Sequence, residues 1–125
     1  MPWKLLLLAL AGSLGTLARY GLAGLAQNLL GPSFPWGTLA VNLAGCFLAG
    51  ILWTLFETHW PLPGRTRLLL LVGFMGAFTT FSAFILETGE LVRAAEWTYA
   101  FLNLFLQNLL GLAALFGGAA LARLF

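Results

Sequence analysis

Charge is what this chain has least of. Of 125 residues, only 8% are Asp, Glu, Lys or Arg, six of them basic and four acidic. Soluble domains carry about 25% charged residues. With 61% of the chain hydrophobic and a mean hydropathy of +0.95, a soluble fold of this size could not cover its own apolar surface. The composition therefore reads as one integral membrane domain. The net charge of +2 is spread thinly, which excludes a basic stripe able to track nucleic-acid phosphates. Cysteine is nearly absent too. Cys46 stands alone in an apolar run, so no disulfide framework or cysteine-based metal site can form within one chain, and the residue reads as a small packing group. The single histidine, His59, lies in a polar loop with no cysteine or carboxylate pair at useful spacing. No phosphate loop, zinc motif or nucleotide fingerprint occurs. The chain carries no recognisable enzyme active site.

Long apolar runs are what the sequence has instead. Met1-Pro2-Trp3-Lys4 followed by Leu5 to Leu14 has the look of a signal peptide, but the apolar pattern continues past Arg19 to Leu30 without a convincing cleavage site, and it reads as a retained first helix. Crossing a bilayer takes about 20 apolar residues. Four spans meet that length: about 3–28, 36–56, 67–93 with a break near 76–80, and 97–123. The cluster Gly31-Pro32-Ser33-Phe34-Pro35 is a turn, and the polar stretch from Glu57 to Arg67 separates the second span from the third. Trp3, Trp36, Trp60, Trp97 and Tyr99 fall near span ends, as interfacial aromatics do; Trp53 is the exception. Four crossings put both termini on one side, together with Lys4, Arg65, Arg67 and Arg123, against Arg93 on the other. That bias of four to one favours cytoplasmic termini. Glycines recur along the first, second and fourth spans and let helices approach closely in lipid. Four helices packed that tightly leave little room for a polar path inside one chain, so the path is expected between protomers of a dimer.

The third span departs from ordinary membrane-helix composition. Gly73-Phe74-Met75-Gly76-Ala77-Phe78-Thr79-Thr80-Phe81-Ser82-Ala83-Phe84 places two glycines, three hydroxyl side chains and four phenyl rings where Leu and Val are expected. Non-helical backbone at membrane depth is tolerated only where it is buried in protein or lines a wet cavity. The stretch predicts a helix break that holds an ion. Carbonyls freed at the break suit a hard cation, and the two half-helix ends bring opposite partial charges to it. Thr79, Thr80 and Ser82 could equally back-bond to their own helix. Phe74, Phe78, Phe81 and Phe84 are spaced as one helical face, either a packing stripe or a row of positive ring edges offered to an anion.

Other polar groups at membrane depth are functional candidates by default. Arg19 reads either as a ligand contact or as a snorkelling side chain that ties down a loop. Asn42 is either a helix-to-helix hydrogen bond or a donor to a permeating anion. Tyr99, Asn103 and Gln107 recur every four residues with Asn108 beside them, forming a wet seam or a set of mutual hydrogen bonds. Glu87, at the third-span exit, caps, pairs or stands at a pore mouth.

These motifs together resemble the fluoride channels of the Fluc, or CrcB, family. GSLGTLARY at Gly12–Tyr20 is similar to the family's first-helix segment, TLAVNLAG at Thr38–Gly45 to its second-helix motif, and GFMGAFTTFSAF at Gly73–Phe84 to its third-helix break, with Glu87 following. The resemblance covers most of the chain. It implies an all-α membrane protein with four transmembrane helices, the third broken mid-membrane, assembled as an antiparallel, dual-topology homodimer in a bacterial or archaeal plasma membrane. It implies two fluoride pores lined by Asn42, Phe81 and Phe84 with Ser82 nearby, and by Tyr99 and Asn103 on the fourth helix. It also implies Arg19 near the vestibule and a structural sodium ion (Na+) held by the backbone carbonyls of Gly76 and Thr79 from both chains. Such a pore exports fluoride passively and protects against fluoride toxicity.

The chain departs from the family's pattern in two places. Ala83 stands where a Thr is usual, removing one hydroxyl, and Asn103 and Gln107 stand where serines are usual. The charge bias of four to one also sits uneasily with a chain that inserts both ways. Two other functions fit four short spans. A proton-coupled multidrug exporter needs a carboxylate deep in a span, and none is present. A purely structural subunit leaves the glycine-to-threonine break without a reason.

Overall fold

A computed structural model describes residues 2–125. Five helices account for nearly all of them. Helix α1 spans Pro2–Leu30 and α2 spans Trp36–Thr58. Helix α3 covers residues 64–78: an ordinary turn at Gly64–Arg67, a wide π-helical stretch at Leu68–Met75, and a last turn at Gly76–Phe78. Helix α4 spans Phe81–Arg93 and α5 spans Trp97–Ala122. Taking α3 and α4 as one span, four helical segments are long and apolar enough to cross a membrane.

The close approaches fix how these segments lie. Gly50 and Gly118 seat α2 against α5: a side chain at Gly50 would meet the Leu115 carbonyl, and one at Gly118 the Phe47 carbonyl. Gly111 lies against Cys46 lower on the same seam, so the two helices run parallel. Gly15 and Gly73 do the same for α1 and α3, meeting Phe74 and Ala77 in one direction and Leu8 and Ala11 in the other. Helices α1 and α2 run antiparallel, with Gly37 against the Ala23 backbone. The turn between them is closed by Gln27. Its Nε2 donates to the Gly31 and Phe34 carbonyls at 2.6 and 2.8 Å, and its Oε1 accepts from the Gly37 amide at 3.1 Å. Gly31 has φ +95°, a conformation that only glycine adopts without strain.

This alternation puts Lys4, Arg65, Arg67 and Arg123 at one end. There the Arg65 guanidinium lies 3.9 Å from the Trp3 ring centroid, and Arg67 Nη2 donates to the Phe56 carbonyl at 2.9 Å. Trp53, the apparent outlier among the tryptophans, is exposed one turn before Glu57 and donates to its carboxylate at 2.8 Å. Most large apolar side chains on α1 and α5 face outward, among them Leu14, Leu17, Phe101 and Phe105. That is the pattern of helices whose solvent is hydrocarbon. The packed centre is small: Val41, Met75 and Phe78, bordered by Ala18, Leu22 and Ala44. It lies directly under the end of α3.

Candidate functional site

Between α3 and α4 the backbone leaves the helical region at two residues. Thr79 has φ −88°, ψ 157° and Thr80 φ −146°, ψ 119°, both extended. An extended peptide inside a packed bundle must find hydrogen-bond partners outside its own helix. Asn42 supplies them. Its Oδ1 accepts from the Thr80 amide at 2.9 Å and its Nδ2 donates to the Thr80 carbonyl at 3.0 Å. One side-chain amide thus brackets one residue on both sides, as a neighbouring strand would. The two threonines divide the remaining work. Thr79 Oγ1 back-bonds to the Met75 carbonyl at 3.0 Å. Thr80 Oγ1 accepts from the Ala83 amide at 3.2 Å and so caps α4.

These commitments redirect the helical ladder. The Thr80 amide would ordinarily serve the Gly76 carbonyl and the Ala83 amide the Thr79 carbonyl; both are taken, by Asn42 and by Thr80 Oγ1. The Ala77 carbonyl, between them, accepts from Arg19 Nε at 3.1 Å. Arg19 therefore holds the end of α3, as a side chain that ties down irregular backbone does. Gly76 and Thr79 share a shallow hollow of about 220 Å³ with Gly45, Cys46 and Met75. Two carbonyls released from their amides beside an open hollow are all-oxygen donors of the type a hard cation takes. Nothing inside the chain requires glycine at 76, where an added Cβ would meet only the Leu71 carbonyl at 3.9 Å. Gly45 differs, since a Cβ there would strike Thr79 Cγ2.

Two larger clefts flank the break, and Thr80 lines both. One, of about 690 Å³, opens between α1 and α2 and is bordered by Arg19, Tyr20, Gln27, Thr38 and Glu87. In it Thr38 Oγ1 donates to Glu87 Oε1 at 2.7 Å, while Glu87 Oε2 is buried without a partner. The other, of about 250 Å³, lies on the α5 side and brings together Asn42, Phe81, Phe84 and Gln107. Phe84 is buried and Phe81 is 74% exposed, their rings edge to face with centroids 5.8 Å apart.

The four phenyl rings do not form one stripe. Phe74 and Phe78 stack with centroids 5.7 Å apart on the core side of α3, and the extended pair at 79–80 turns Phe81 and Phe84 onto a different face. Helical spacing holds only within an unbroken helix. Of the remaining candidates, Ser82 is exposed on the first turn of α4 and borders neither cleft. Tyr99 packs edge-on against Phe34 at 5.8 Å. Asn103 is fully buried, and it joins a group the sequence left undivided. Asn42 Nδ2 also donates to Gln107 Oε1 at 3.0 Å, Gln107 Nε2 to Asn103 Oδ1 at 3.4 Å, Asn103 Nδ2 to Thr88 Oγ1 at 2.8 Å, and Thr88 Oγ1 to the Phe84 carbonyl at 2.7 Å. Thr88 was not among the expected residues. Its one sequence signal is a hydroxyl one helical turn after Phe84.

Comparison with known proteins places this arrangement. A family model described as "CrcB-like protein, Camphor Resistance (CrcB)" matches residues 6–119. The chain belongs to the CrcB family. It is similar to a protein of Desulforapulum autotrophicum named "Fluoride-specific ion channel FluC", with 61% identity over 124 residues and 99% of each chain covered. Proteins of the same name from Nitrosococcus oceani and Solidesulfovibrio magneticus are 50% and 52% identical, each over 97% of both chains. These relatives are named as ion channels, not as enzymes.

Proposed function

We propose that this CrcB-family chain is a fluoride channel that lets cytoplasmic fluoride leave passively. The observation that carries the reading is the extended Thr79–Thr80 segment clamped by Asn42 between two clefts. A single break offers a cation its released carbonyls and an anion its amide and ring-edge donors. The names of the relatives supply the anion. Fluoride is small and strongly hydrated, so a pore must replace lost water with donors. Asn42, Phe81 and Phe84 are the proposed pore lining, with Ser82, Tyr99 and Asn103 further along the path and Arg19 at the vestibule. The break lies at membrane depth in this reading, and a sodium ion sits between the Gly76 and Thr79 carbonyls of two chains. Bound there, sodium would neutralise the carbonyl ends of both α3 helices.

The partner is a second, oppositely oriented copy in a bacterial or archaeal plasma membrane. The open surface at Gly76 and the exposed Phe81 support that arrangement, because none of the described residues of one chain covers them. Fluoride enters cells as the neutral acid, dissociates, and needs only a selective leak to go out again. The test is fluoride efflux from fluoride-loaded liposomes carrying the purified chain, followed with a fluoride electrode and a chloride control. Electrogenic fluoride efflux without chloride efflux is expected, and its absence overturns the channel reading. Labelling single cysteines placed in the loops tests the antiparallel dimer separately: label from one side only rules out dual insertion.

A further inference from the structure

The amide groups between α2, α4 and α5 form a hydrogen-bonded ladder with a direction. The direction starts at Thr80, whose backbone amide must face an acceptor, so Asn42 Oδ1 points there and Nδ2 is left to donate. Each primary amide has two N–H donors. One Nδ2 donor of Asn42 serves the Thr80 carbonyl and the other serves Gln107 Oε1. Asn42 therefore has no donor left for an anion in this arrangement. From Gln107 the donors run onward through Asn103 and Thr88 to the Phe84 carbonyl.

We propose that this ladder has two hydrogen-bonding directions and that an anion in the Asn42–Gln107–Phe81 cleft selects the second. The proposal rests on the channel reading and adds to it one positioning residue, Thr88, which acts through Asn103. In the second direction the Thr88 hydroxyl donates to Asn103 Oδ1, Asn103 Nδ2 donates to Gln107 Oε1, and Gln107 Nε2 turns toward the cleft. Every group from Thr88 to Gln107 keeps a partner, because amide O and N exchange places on a half-turn and a hydroxyl can rotate its donor. What changes is the end of the ladder. The Asn42 and Gln107 amides, with N and O 3.0 Å apart in the first direction, then present two N–H donors side by side. Two facing donors are unfavourable when empty and favourable around one small anion. The second direction therefore gains its stability from the ion, which is the condition for a ligand to shift an equilibrium.

Several features fit a reversible element and not a passive packing seam. Asn103 is wholly buried and Thr88 nearly so, so at that end of the ladder water cannot substitute for a lost partner. The Gln107–Asn103 bond is the longest in the ladder at 3.4 Å, the weakest link and one of the two whose donor and acceptor exchange. The far end is a hydroxyl, the only side-chain group here that can close the ladder in either direction.

The experiment uses the full chain in liposomes. Fluoride efflux is measured for wild type, Thr88→Val, Thr88→Ser and Gln107→Glu, alongside the Gln107 side-chain amide resonances by nitrogen-15 NMR with and without fluoride. Thr88→Val removes the reversible terminus at nearly constant shape, and Thr88→Ser keeps it. The expected result is at least tenfold slower efflux for Thr88→Val and Gln107→Glu and near wild-type efflux for Thr88→Ser. A fluoride-dependent shift of the Gln107 amide is expected in wild type and Thr88→Ser, and none in Thr88→Val. A wild-type amide that ignores fluoride, or a Thr88→Val chain with the wild-type shift and flux, overturns the ladder. Slow efflux in both Thr88 variants with the shift intact also overturns it, since a purely structural role would do that. A chain that passes no fluoride yet shows the shift sinks the channel reading and leaves the ladder standing.

Discussion

The two sides of the Thr79–Thr80 break are built from different material. On the α3 side the proposed ligands are backbone carbonyls at Gly76 and Thr79, beside a hollow of about 220 Å³. On the α4 side they are side chains: Asn42, Gln107, Phe81 and Phe84, around a cleft of about 250 Å³. The first side offers oxygen lone pairs and the negative end of a helix; the second offers ring edges, the positive end of the next helix and amides whose N–H groups the ladder already engages. One interruption therefore sorts charge. In the proposed channel a cation and an anion are served a few residues apart because the break reverses the backbone's polarity. The difference also predicts how each side fails: the carbonyl side through geometry, the side-chain side through chemistry.

The most damaging substitution should be Asn42→Asp. It keeps the shape but loses both donors, leaving the Thr80 carbonyl and Gln107 Oε1 without partners. Each unpaired buried group costs about 1–3 kcal/mol, so fluoride efflux should drop by about 100-fold or more, with a lower melting temperature. Wild-type efflux would remove Asn42 from the pore. Next is Gly45→Ala, whose Cβ strikes Thr79 Cγ2. Overpacking of this kind costs about 1–3 kcal/mol; thermal denaturation should show it, with loss of any sodium dependence of stability.

Phe81→Ile should separate the two sides. The ring is exposed, so stability should change by less than about 0.5 kcal/mol. Losing its edge should slow efflux by roughly tenfold, from the 0.5–1.5 kcal/mol typical of such aromatic contacts. The smallest effect on the single chain is expected for Gly76→Ala, whose added Cβ makes only an ordinary contact with the Leu71 carbonyl at 3.9 Å. Its fold by circular dichroism should be unchanged, while self-association measured by fluorescence transfer should weaken. Unchanged association would mean that this surface does not face a second chain.

Some of this was written plainly in the linear chain. The four long apolar segments follow from runs of apolar residues with few charges, a property that needs no partner to be true. The anomaly at Gly73–Phe84 was visible as glycines and hydroxyls in a run that should be branched and oily. Its interior was not visible. Gly73 and Gly76 look alike on paper, yet Gly73 is pressed against Ala11 and Leu8 while Gly76 has room for a Cβ. Thr79 and Thr80 are identical neighbours, yet one back-bonds to its own helix and the other caps the next. The phenyl spacing suggested one face because periodicity assumes continuous helix, the condition the break removes.

The sequence by itself determined the solvent, the four spans and the place where a helix could not stay regular, because hydrophobicity and backbone propensity are properties of neighbouring residues. Only the tertiary structure decided what satisfies that irregular backbone. Asn42 lies 38 residues from Thr80 and Arg19 lies 58 from Ala77. Which amide meets which carbonyl across such distances depends on how neighbouring helices are set against one another by their glycines, and the bond from the Thr80 amide to Asn42 Oδ1 orients the ladder that runs on to Thr88.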